Sequence, residues 1–179
     1  MKKKFLVLFT LLTLPLLLNA QDSDPAMVKK MLEQADDMGR KFVAKDYKAF
    51  LKYSHPAVIE SMGGYTKMYD RTIEDLKALD KQEIKFIAIT FGVPSKIITV
   101  GDERQAVIPE LIQMQIPGGI LTTTASMLAI STDKGVNWYF ADTGGTNLEL
   151  MKNLIPSLSD DLVIPEPQDP SFEEDVKTE

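Results

Sequence analysis

The strongest constraint in this sequence is a change of hydrophobic period near residue 80. From Met27 to Leu79 the apolar residues recur three and four apart, which puts them on one side of an α-helix. From Ile84 to Ala141 they fall into short β-rich runs, and the longest alternates one by one, as in a strand with one buried face. No βαβ alternation and no internal repeat interrupts this order. Helices first and an antiparallel meander after them predict an α+β fold, with N-terminal helices packed on one face of a curved antiparallel sheet.

Punctuation residues set the boundaries. Asp24-Pro25 starts the first helix as N-cap and first helical position. Met27/Val28, Met31/Leu32, Ala35, Met38 and Phe42 form its apolar stripe. Asp46 caps a second, short helix through Leu51, and Ser54-His55-Pro56 breaks it. A further helical turn, Ala57 to Met62, ends at Gly63-Gly64, and a third main helix runs from about Tyr65 to Leu79. The expected strands are 84–91, 96–100, 105–116, 120–131 and 136–141, followed by a short helix over 148–154 that Pro156 stops.

The ends predict a compartment. Lys2, Lys3 and Lys4 precede an apolar run from Phe5 to Leu18, and Leu18-Asn19-Ala20 puts a small residue before Gln21. These are the parts of a cleavable export signal over 1–20, and the run is shorter than the roughly 20 residues of a spanning helix. The expected mature protein is periplasmic or extracellular, not membrane-inserted, and its domain covers 21–156. Residues 157–179 carry Pro165, Pro167 and Pro170 among acids and read as an extended or disordered tail. Zero cysteines exclude thiol nucleophiles, disulfides and Cys-based zinc or iron–sulfur sites. Net charge is −6 for the chain. With no basic face, a nucleic-acid partner is not expected.

The helix Lys45 to Leu51 (Lys-Asp-Tyr-x-x-Phe-Leu), then His55-Pro56-x-Val58-Ile59-x-x-Met62-Gly63-Gly64, resembles exported bacterial members of the NTF2-like superfamily. Gly135 to Phe140 is similar to a late strand of that superfamily, which includes SnoaL-like proteins and ketosteroid isomerases. The resemblance covers roughly residues 26 to 155. It implies a cone-shaped, cystatin/NTF2-like α+β domain with a pocket closed at one end by helices, and a homodimer through the outer face of the sheet. The superfamily's catalytic aspartate and tyrosine match no motif here, so no catalytic role is carried over.

Few residues offer chemistry. His55 is the only histidine; it is either a lone general base or a cap at the helix break. Glu110 interrupts an apolar strand face, so it is either a pocket carboxylate or a residue turned outward by a bulge at Pro109. Tyr47, Tyr65 and Trp138 are candidates for a pocket lining, with core packing as the alternative. The Thr122 to Ser126 strand lacks a nucleophile elbow, and the paired glycines match no phosphate loop. The tail acids match no calcium loop. No metal and no cofactor is expected.

Three functions compete. The first is a non-catalytic binding or interaction domain for a small apolar ligand or a protein partner. The second is an isomerase or dehydratase using Glu110 or His55. The third is a structural subunit of an envelope assembly.

Overall fold

The structure, a computed structural model, describes residues 24–175. The export signal expected over 1–20 lies outside the described residues, as do 176–179. Among the described residues no helix is long and apolar enough to cross a membrane.

Helix α1, Pro25–Val43, begins where Asp24 accepts a hydrogen bond from the Ala26 N–H at 2.9 Å. Asp46 caps α2, Tyr47–Phe50, through the Ala49 N–H. A 3-10 turn, Leu51–Tyr53, leads to α3, Pro56–Ser61, and then to α4, Tyr65–Asp80. Strands β1 Lys85–Phe91, β2 Ile98–Val100, β3 Glu103–Ile116, β4 Gly119–Ser131 and β5 Tyr139–Asp142 follow, then α5 Leu148–Leu154 and β6 Ser171–Glu174. The fold is α+β: helices, then an open six-stranded sheet in which every strand pairing is antiparallel.

Long β3 and β4 form the spine. Each pairs fully with the other, and two shorter strands share each remaining edge: β1 and β2 on β3, β5 and β6 on β4. The inner face packs Ala106, Ile108, Met127, Ala129 and Phe140 against Met31, Ala35 and Met38 of α1, with Trp138 beside them. Gly39 lets α1 approach closely, since a Cβ there would lie 3.2 Å from the Ile89 carbonyl oxygen. The opposite face buries Val107, Leu128, Ile130 and Ala141 under Met151, Ile155, Leu158 and Leu162. Each large side chain fully buried this way contributes about 1.5–3 kcal/mol.

Three expectations change. The late strand starts at Tyr139 rather than Val136, because Asp133 holds a turn by accepting from the N–H groups of Val136 and Asn137. Pro109 makes no bulge against β4, where it pairs in register with Ser126. Its carbonyl faces Gly92, and a strand residue's N–H points the same way as its C=O; β1 ends at Phe91 on that side, so the missing donor leaves no gap in the ladder. The irregularity lies in β1 instead, between Phe86 and Ala88. The third change concerns the tail. Residues 157–175 pack on the body: turns at 156–157 and 160–161 bring Leu158 and Leu162 into the core, and 171–174 form β6. Composition counted the acids, while two leucines and a main-chain ladder decide the packing.

Candidate functional site

The site is a cleft between α4 and the start of β1. Its floor is aromatic. The Phe42 ring meets Tyr47, Phe50 and Phe86 edge-on, with centroids 5.6, 4.9 and 4.9 Å away. Ile73, Leu76 and Leu79 of α4 form the facing wall, and Ile84 and Phe86 continue it into the sheet. Lys45, Lys77, Asp80 and Lys85 are the charged residues of the lining. The cleft encloses about 370 Å³, within the roughly 300–1,000 Å³ of small-molecule sites.

The anchoring of α4 explains why a cleft exists. None of its sixteen residues is buried. At its N-terminal end the Tyr65 hydroxyl donates to the Lys48 carbonyl at 2.6 Å, and the Lys48 ammonium lies 5.5 Å from the centre of the Tyr69 ring. At its C-terminal end the chain turns through Glu83, at φ 60°, directly into β1. The helix is thus tied at both ends, while its apolar side stays half-exposed between them.

Of the lining candidates, Tyr47 lies in the cleft. Its phenol is pushed above its ordinary pKa by burial and then by the charge of Asp80, so it stays protonated and can donate a hydrogen bond. Tyr65 lies outside the cleft because its hydroxyl is committed to the clasp on α2. Trp138 is also outside: its ring is buried in the inner-face core, and its Nε1–H donates to the Gly135 carbonyl.

Glu110 points to the inner face in the row of Phe91 and Ala125, with 6% of its surface exposed. No hydrogen bond or ion pair reaches its carboxyl among the described residues. Burial, and then the negative Asp142, push it up to about 7. The alternative of an outward turn at Pro109 is therefore not taken. Glu110 is nevertheless not a cleft residue. Phe91 and the cleft-lining Phe86 are separated by five residues of β1, roughly 15 Å.

His55 caps α3. Its Nδ1 accepts from the Ala57 N–H at 3.2 Å, and its own backbone N–H donates to the Phe140 carbonyl. Burial holds its pKa below the ordinary value, against the pull of Glu103. Phe140 lies in the row of Ala129 and Ala106, four residues or roughly 13 Å along β3 from Glu110. The fold does not bring His55 and Glu110 into one catalytic pair. Among the described residues, no group of carboxylates and histidine is placed to hold a metal ion.

The sequence points to Tyr47 but not to the wall opposite it. Ile73 and Leu76 show there as a helical stripe, and a stripe ordinarily marks core. Comparison with protein-family models, with curated proteins and with solved structures returns no match to this chain.

Proposed function

We propose that the protein is an exported, non-catalytic binding domain whose cleft takes an apolar small molecule with a polar end. The single observation that carries this reading is α4: a sixteen-residue helix with no buried residue, whose apolar side lines the cleft. Helices of this length normally gain stability by burying such a side against the body. A ligand seated against Ile73, Leu76, Leu79, Phe42 and Phe86 would supply the missing contact. The Tyr47 phenol and the lysines of the lining are suited to an acceptor or anionic end. An NTF2-like cone belongs to the same reading, supported by the helices-first order and by a cleft between helices and sheet.

The test is native mass spectrometry of the protein purified from its own export compartment, together with titration by an apolar fluorescent dye. A discrete bound mass is expected, with dye affinity falling at least tenfold in Leu76→Glu while the melting temperature holds. Dye binding unchanged by Leu76→Glu, with no bound mass, sinks the reading.

One observation favours a second reading, acid–base chemistry. Glu110 is a buried inner-face carboxyl, pushed up to about 7, which suits proton transfer at neutral pH. Activity against small carbonyl substrates that disappears in Glu110→Gln would establish it.

A further inference from the structure

The open edge of β4 is completed in two pieces. β3 occupies one edge from Gly119 to Ser131, so β5 and β6 lie end to end along the other. β5 belongs to the body, whereas β6 arrives from the tail and pairs with Gly119–Thr122. All four β6 residues are exposed. Its attachment therefore rests on the main-chain ladder, on Phe172 against Gly119, on the Asp175 N–H donating to the Gly118 carbonyl at 2.9 Å, and on the Asp175 carboxylate accepting from Gln115 Nε2 at 3.5 Å. Gly119 is the seat. A Cβ there would come 2.1 Å from the Glu173 carbonyl oxygen and 2.8 Å from the Phe172 ring, so only glycine admits the strand.

The connection to this strand is nearly taut. Leu162 and Ile164 both pack in the outer-face core, whose β4 residues are Leu128 and Ile130, and residues 165–170 have no regular structure and carry three prolines. From that anchor, Ser171 reaches its partner Thr122 six to eight residues along β4, roughly 20–27 Å. A proline-rich segment extends about 3.1 Å per residue, which gives roughly 22 Å over the seven steps from Ile164 to Ser171. Little slack remains.

The geometry points to an exchange of this strand between two copies of the chain, each tail pairing with Gly119–Thr122 of the other. Every β6 contact is reproduced, because the same residues meet, Ile164 keeps its place against the core, and only the 165–170 linker changes course. Short hinges with little slack are the segments that exchange, and reciprocal exchange closes into a two-fold dimer. The occupant of the β4 edge is thus a second copy's Ser171–Glu174, with Phe172 as its side-chain anchor.

The chain has no cysteine, so introduced thiols report the pairing cleanly. Thr122→Cys and Ser171→Cys are made as separate proteins, mixed at rising concentration and oxidised. A disulfide-linked heterodimer that grows with concentration, well above the level from either variant alone, is expected. The double variant is expected to give covalent dimer. Only internally linked monomer from the double variant, and no excess heterodimer from the mixture, overturns the proposal. A second measurement needs no thiol. Inserting about four flexible residues after Pro167 gives the linker slack. The mass by light scattering should then fall from dimer to monomer, and a monomer mass for the unaltered protein at every concentration also overturns the exchange.

Discussion

Glu110 and Asp142 share the inner face of the sheet with one strand between them: Glu110 pairs with Ala125 on β4, and Asp142 with Met127 two residues further along. Burial and the Asp142 charge both oppose ionisation of Glu110 and push it from 4.5 to about 7. A carboxyl whose folded pKa is raised leaves stability intact below 4.5, where both states are protonated. That stability is lost as pH rises through about 7. The full shift corresponds to ~3 kcal/mol. Glu110→Gln should therefore gain roughly 1–3 kcal/mol over the parent at pH 8 and little at pH 4.5, read by denaturant unfolding. An equal difference at both pH values would refute the assignment.

Gln105 fastens the tail to the sheet. Its side chain is fully buried; Nε2 donates to the Ser157 carbonyl at 2.9 Å, and Oε1 accepts from the Ser159 N–H at 2.9 Å. Gln105→Leu strands both groups and should cost about 2–3 kcal/mol. Hydrogen exchange should rise first over 157–162 and leave the Val107 to Leu128 ladder protected. Uniform loosening of the whole sheet would contradict this.

His55 should behave as a cap rather than a base. His55→Ala is expected to cost about 1 kcal/mol, and His55→Asn, whose side chain can also accept from the second helical N–H, much less. The folded pKa is lowered, so the histidine's contribution is present above 6.5 and is lost as pH falls through the folded value. Thermal melts of the parent and His55→Asn at pH 7.5 and 5.5, with roughly equal losses in both proteins, would exclude this role.

The Tyr53 hydroxyl donates to Asp37 at 2.6 Å and ties the 3-10 turn to α1. Burial and that hydrogen bond hold the phenol up to about 12. Ultraviolet titration should show one tyrosine ionising near 12, absent in Tyr53→Phe, which should also melt about 1 kcal/mol less stable. Stability tied to this group is full below pH 10 and declines as pH rises toward 12.

Local chemistry made much of the architecture readable. Asp24 and Asp46 cap the helices they precede, because a short acceptor before a helix meets its first free N–H groups wherever the rest of the chain goes. The alternation of Ala106, Ile108, Ile112 and Met114 marks one sheet face, and Glu110 takes the same face because strand side chains alternate strictly. The site was less legible. Tyr47 and Trp138 look alike as amphipathic rings, and only the packing of α1 puts Trp138 in the core and leaves Tyr47 at a cleft.

By itself the sequence determined the helix-to-strand order, the caps and the face of each strand residue, because these depend on neighbours within a few positions. It also barred thiol chemistry through the absence of cysteine. Tertiary structure alone decided how far α4 stands from β1, the separation of His55 from Glu110, and the seating of Phe172 against Gly119. Each of these joins residues far apart in the chain. Long-range distances follow from how elements pack and cross, and no local period encodes them.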